Sequence, residues 1–150
     1  MKLSKKEIFA YQQNRPPYLM IDFVNEVIPG KSASGYKDLK EDEWFFKVHW
    51  PEDPNMPGML QIESLVQMCA LSLLTLPGNK GKIVYLISAD KIKLKKKVIP
   101  NDRLLIETKV NSYNRGIAKC QGKGEVNHKL VCSAEFTVVM PHVIKYYNKK

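Results

Sequence analysis

At 150 residues the chain is long enough for one domain that buries roughly 68–70% of the surface its unfolded form exposes, and too short for a second full domain. With 44% hydrophobic and 26% charged residues it is too apolar for a disordered chain and too polar for a membrane bundle. The formal charge of +9 is uneven: residues 1–50 carry 8 basic and 7 acidic groups and residues 51–150 carry 16 and 8, an excess that attracts anionic partners without choosing among them.

Ser4-Lys5-Lys6-Glu7 has the spacing of a capping box, so a short helix is expected to about Gln13, ended by Asn14-Arg15-Pro16-Pro17. Leu19 to Ile28 reads as a first strand, stopping at Pro29-Gly30, and Ser32 to Lys37 as a second. After an acidic turn, Asp38 to Glu43, the aromatic run Trp44 to Val48 reads as a third extended segment. Pro51, Pro54 and Pro57 recur every third residue and fit neither helix nor central strand, so a stiff loop is expected. From Gly58 to about Leu76 the chain is apolar on nearly every side of a helical wheel, which predicts a helix sheathed by other structure.

Four runs with strand character follow: Ile83 to Val98, Arg103 to Asn114, Gly116 to Val126 and Lys129 to Met140. Leu104, Ile106, Thr108 and Val110 alternate with Leu105, Glu107 and Lys109, the pattern of a half-buried strand. Pro100-Asn101-Asp102, Asn114-Arg115-Gly116 and Asn127-His128 provide turn chemistry between the runs, implying an antiparallel meander. The architecture is therefore α+β: one domain over 1–150, with a curved antiparallel sheet around one long helix, an N-terminal helix over 1–13 and a basic tail over 141–150 whose Lys145 to Lys150 end is expected to fray.

The stretch Met59 to Leu76 is broken by Gln61, Glu63, Ser64, Gln67, Ser72 and Thr75 and does not read as a bilayer span, and Met1 to Tyr11 lacks the apolar core of an export signal. Cys69, Cys120 and Cys132 are odd in number with no C-x-x-C spacing, which argues against a disulfide framework or zinc knuckle and for a reducing cytoplasm.

Glu63 is the most informative residue. On the wheel it falls among Met59, Val66, Ala70 and Leu74, and a carboxylate on an apolar face is either paired or raised in pKa until it suits a general acid. A buried glutamate satisfied by backbone or by Gln67 is the structural alternative. His49 precedes the proline loop, where a side chain can be held at the lip of a cleft and titrate near neutrality. His49 with Glu52 and Asp53 is too sparse and irregular for a metal site. His128 and His142 read as solvated residues.

The segment Val48 to Gln67 as a whole resembles the signature of the beta-hydroxyacyl-(acyl carrier protein) dehydratases, G-H-F-P-x-x-P-x-x-P-G-V-L-x-x-E-x-x-A-Q. Eight positions match in register: His49, Pro51, Pro54, Pro57, Gly58, Leu60, Glu63 and Gln67. Arg15 to Asp22 is similar to the family's R-Y-P-F-L-L-V-D, Val98 to Leu104 to its V-x-P-G-D-x-L, and Arg115-Gly116 falls where the family has the same pair. The resemblance covers about residues 14–140.

This resemblance implies a hot-dog fold and dehydration of 3-hydroxyacyl thioesters to trans-2-enoyl thioesters, with His49 and Glu63 as acid and base. It implies an apolar tunnel at Trp50, Pro57, Val66 and Gln67, and backbone donors at Gly58 and Met59 that hold the thioester oxygen. No cofactor is implied beyond the phosphopantetheine arm of acyl carrier protein. The histidine and acid of one site come from different subunits in that family, so a homodimer or a trimer of dimers is expected. Lys91, Lys93, Lys95, Lys96 and Lys97 offer a docking face for the acidic carrier, or a solubilising one. That run has no interleaved aromatic residue for nucleic acid, and no membrane contact is implied.

Val48, Trp50, Met59, Val66, Lys97 and Asn101 depart from the family's Gly, Phe, Val, Ala, Pro and Gly, and the larger side chains would narrow or reshape the tunnel. The other readings are a hot-dog acyl thioesterase and a non-catalytic protein of the same fold that binds acyl carrier or nucleic acid. Siblings that also isomerise the double bond have Asp at the position of Glu63, which ranks isomerisation low.

Overall fold

A computed structural model describes residues 1–148. Ten elements follow in chain order: α1 (Lys5–Tyr11), β1 (Phe23–Ile28), β2 (Ser32–Asp38), α2 (Trp44–Val48), α3 (Gly58–Leu74), β3 (Tyr85–Leu94), β4 (Arg103–Asn114), β5 (Ile117–Val126), β6 (Lys129–Val139) and α4 (Pro141–Asn148). The capping box forms as the sequence predicts: Ser4 Oγ accepts from the Glu7 N–H while the Glu7 carboxylate accepts from the Ser4 N–H. Thirteen of the seventeen residues of α3 are buried, and strands from the whole sheet pack against it. This is the hot-dog arrangement, a sheet wrapped round a helix.

All strand pairs are antiparallel, in the order β1-β2-β4-β5-β6-β3. β4, β5 and β6 form a meander through two-residue turns, Arg115-Gly116 and Asn127-His128, whose four residues all have positive φ as tight hairpins require. The inward residues Leu104, Ile106, Thr108 and Val110 are buried, as the alternation on β4 predicts. The expected four-strand meander needs correction at β3, which pairs with β6 and not with β4. Residues 95–102 carry the chain from that edge to the sheet's interior, held by Lys95 N–H to Val131 O, Met56 N–H to Val98 O and Asn101 N–H to Leu39 O. The opposite edge, β1, is covered by the first residues of the chain: Leu3 and Val24 exchange backbone bonds, and Val27 N–H reaches Met1 O.

Two further expectations are overturned. Trp44 to Val48 is a helix, because a strand would send the adjacent Phe45 and Phe46 to opposite faces whereas one helical turn buries both. The tail is not frayed over 141–148. Pro141 opens α4 at the position where a missing donor is harmless, and His142 Nε2 meets Asn79 Oδ1 at 3.1 Å, while Asn79 Nδ2 donates to Leu73 O. His142 is therefore docked and partly covered, with burial and then Lys82 lowering its pKa. Lys149 and Lys150 lie outside the described residues.

Lys37 projects toward the core side of β2, in line with the buried Ala33 and Leu39. A lone ammonium there would be costly, and it is answered by Glu43 Oε2 at 2.9 Å, Asp38 O at 3.1 Å and Asp22 Oδ2 at 3.5 Å. Asp22 also accepts from Lys5 Nζ at 2.8 Å and from the Asp38 N–H at 2.8 Å. Burial alone would raise the Asp22 pKa, but the hydrogen bond from Lys5, the charge of Lys37 and the Asp38 N–H together hold it below the ordinary value.

A carboxyl with a depressed folded pKa contributes stability that is present above its unfolded pKa, about 3.9, and is lost as pH falls through the folded value. Urea unfolding midpoints should therefore fall more steeply below about pH 4 in the native protein than in Asp22→Asn, which has no such proton to take up.

Candidate active site

The proline loop and the first turns of α3 assemble the residues singled out above. Pro57 precedes α3, and its carbonyl accepts from both Leu60 and Gln61, which leaves the N–H groups of Gly58 and Met59 ahead of the first helical acceptor. These are the donors expected to hold an oxyanion. Leu94, at the end of β3, packs its side chain against the Cα side of Gly58, where a Cβ would have to displace it.

One turn further on, Glu63 enters a groove of about 330 Å³ that runs along one face of α3 past Val66, Gln67, Ala70 and Leu74, with Tyr85 and Leu86 of β3 opposite. Burial raises the Glu63 pKa above the usual carboxylate value, and a hydrogen bond from Gln67 only partly offsets this. Gln67 is fully engaged: its Oε1 accepts from Met20 N–H at 2.7 Å, and its Nε2 donates to Tyr18 O at 3.0 Å and to Glu63 Oε1 at 2.9 Å. Both alternatives for Glu63 are therefore realised together. The carboxyl accepts from Gln67 and still holds its proton more tightly, in a groove lined by apolar Val66, Ala70, Leu74 and Leu86 and by polar Gln12, Asn14 and Lys82.

His49 caps the C-terminus of α2, and its Nδ1 lies 3.1 Å from Asn55 O. A carbonyl can only accept, so Nδ1 carries the proton and Nε2 presents its lone pair. The ring packs against Trp50 at 5.8 Å between centroids. Around it the surface is unusually apolar: Val48, Trp50 and Met59 are 70%, 63% and 62% exposed.

Of the residues expected to line a tunnel, Val66 and Gln67 share the Glu63 groove, whereas Trp50, packed beside His49, and Pro57 stand outside it. His49 does not line the groove that holds Glu63 within one chain. The lysine run does not form one regular row either. A bulge between Asp90 and Lys93, with Lys91 at φ 50°, breaks the alternation, and β3 ends at Leu94. Lys91 and Lys93 line a depression on the outer sheet face, while Lys97 reaches Asp53 in the proline loop and all five lysines are exposed.

Two contributors carried no local signal. Tyr18 supplies the carbonyl that holds Gln67, and its phenol pKa is raised by burial and by the charge of Glu63. Lys37 was marked only by its inward register, visible once the period of β2 is taken literally. No group of three His, Cys, Asp or Glu side chains converges as a metal site among the described residues.

The FabA-like domain model matches residues 13–135. The chain is 39% identical over 140 residues to the 3-hydroxyacyl-(acyl-carrier-protein) dehydratase FabZ of Alkaliphilus metalliredigens, covering 93% of this chain and 95% of that protein. It is 40% identical to the enzyme of the same name from Clostridium novyi, covering 92% and 99%. Among solved structures, the dehydratase heterocomplex ApeI:P from Xenorhabdus doucetiae aligns with a TM-score of 0.75 at 11% identity, covering 95% of this chain and 97% of that one. A hypothetical thioesterase with coenzyme A from Streptococcus pneumoniae aligns at 0.59 and 14% identity, covering 78% and 86%. These structural likenesses bear on the fold.

A carboxyl whose folded pKa is raised costs stability once pH exceeds its unfolded pKa, because the folded state resists ionising it. Glu63→Gln keeps an oxygen for Gln67 and removes that cost. It should melt at a higher temperature than the native protein at pH 7, with the difference shrinking as pH falls through the raised folded pKa of Glu63 and vanishing below about pH 4.

Proposed function

The chain belongs to the family of FabA-like domains, and from that membership we propose that it removes water from 3-hydroxyacyl thioesters carried on acyl carrier protein, giving the trans-2-enoyl thioester. The observation that carries the residue assignment is Glu63, its pKa raised by burial, in a groove on α3, joined through one loop to a histidine whose Nδ1 donates to Asn55 O and whose neutral form would leave Nε2 to accept. His49 Nε2 takes a proton from C2, the C2–H electron pair becomes the C2–C3 double bond, and the C3–O bond breaks as Glu63 protonates the leaving hydroxyl to water. A carboxyl held protonated by burial is the right partner for a poor leaving group. The Gly58 and Met59 N–H groups face the charge that grows on the thioester oxygen. Every step is a proton transfer, and the phosphopantetheine arm of the carrier delivers the substrate.

Since His49 stands outside the Glu63 groove of its own chain, the reading requires a second copy to complete the site. β3 supports this: it is a sheet edge, and Tyr85, Leu86, Ile87, Ile92 and Leu94 are exposed along it. Such an edge is a template for pairing with another strand, here β3 of a homodimer partner. Lys91, Lys93, Lys95, Lys96 and Lys97 flank that seam and form the docking face for the acidic carrier. Three free, buried thiols fit a reducing cytoplasm.

Absorbance of the enoyl thioester tests the reaction. His49→Ala and Glu63→Gln should each lower the rate by about 10²–10⁴. Co-expressing the two variants should restore activity, because a mixed dimer with shared sites contains one site with both native groups; absence of any rescue would place both groups in one chain. Release of free thiol without enoyl product would identify a thioesterase instead.

A further inference from the structure

Resting on the reading of His49 as a reacting group, we propose that Lys37 is a positioning residue for it, acting through Glu43 and the short helix α2. Glu43 immediately precedes α2 and His49 immediately follows it. About 9 Å of helix separates them along the axis. Glu43 makes no side-chain cap to its own helix; its Oε2 instead accepts from Lys37 Nζ at 2.9 Å and from the Lys40 N–H at 3.2 Å. The side chain of Lys37 is 6% exposed, so this is a covered ion pair with a second carboxylate, Asp22, behind it.

Phe45 and Phe46 fix which face of α2 points inward, and Trp44 Nε1–H donates to Pro17 O at 3.3 Å, but these neutral contacts restrain the helix less tightly than a covered ion pair at its start. A charge-assisted bond from a rigid strand is directional and fixes the rotation of the helix. Rotating α2 would carry the His49 ring away from Asn55 O and re-aim Nε2, while the groove that binds the acyl chain, built on α3 and β3, would be untouched. Lys37 therefore affects turnover more than substrate binding. The same geometry explains why a lysine occupies a core-facing position of β2.

The test is steady-state kinetics and histidine NMR on the full-length protein. Lys37→Met and Glu43→Leu should each lower kcat about 10–100-fold with KM changed less than about threefold, and each should shift the His49 Cε1–H resonance. The double variant should lose much less than the product of the two single losses, since the Lys37–Glu43 bond is shared between them. Glu43→Gln, which keeps an acceptor for Lys37, should retain most of kcat. Val27→Ala, a core truncation at the other end of β1, sets the control for lost stability. The proposal is overturned if Lys37→Met and Glu43→Leu keep native kcat, if Val27→Ala loses as much, or if the His49 resonance does not move. Should Lys37→Met fail to fold, Glu43→Leu carries the test. Loss of turnover in the native enzyme itself would strike the dehydratase reading alone, because the resonance still reports on the clamp.

Discussion

The structure is organised around one helix enclosed by a sheet. α3 is wrapped by six strands, and Glu63, half-buried, is the acidic residue on that helix. Partial desolvation there disfavours the anion, a stability cost that the proposed elimination would put to use. Gln67 limits that penalty to a tolerable level: its single donation orients the carboxyl, while its other two bonds tie α3 to the segment at Tyr18 and Met20. Orientation of the acid and attachment of the N-terminal segment thus depend on the same amide group.

The histidine is held by quite different means. It sits on a five-residue helix and a proline loop, neither of which could stand alone, and is fixed by Asn55 O, by the buried pair Phe45 and Phe46, and by an ionic clamp to β2. A half-buried carboxyl on the enclosed helix and a peripheral histidine suit the proposed site, in which the histidine approaches the groove from another chain. The exposed apolar side chains of Val48, Trp50 and Met59 make sense as a surface that is covered when that happens.

Much of this was legible in the sequence because local chemistry and tertiary structure agree. The capping box, the two hairpin turns, the alternation on β4 and the all-round apolar character of α3 each have a local cause and each is found. The segment from His49 to Gln67 was legible for the same reason, since spacing along one loop and one helix is fixed by the chain. What was illegible depends on distant partners. Trp44 to Val48 has strand-forming residues but is a helix because the core takes two adjacent phenylalanines. α4 forms because Asn79, more than sixty residues earlier, receives His142. β3 joins β6 through a crossing that no local pattern announces. Lys37 reads as a surface lysine until Asp22 and Glu43 are brought to it.

The two borders of the sheet are treated unequally. At β1 the first three residues fold back and occupy the outward backbone groups, whereas at β3 nothing in the described part of the chain does so. A protein with one blocked border and one available border can join a single like neighbour through it, and the union consumes both available borders. Ribbon growth by continued strand addition therefore terminates at the first step. By occupying the β1 border, the residues Met1 to Leu3 close that side of the sheet to strand addition.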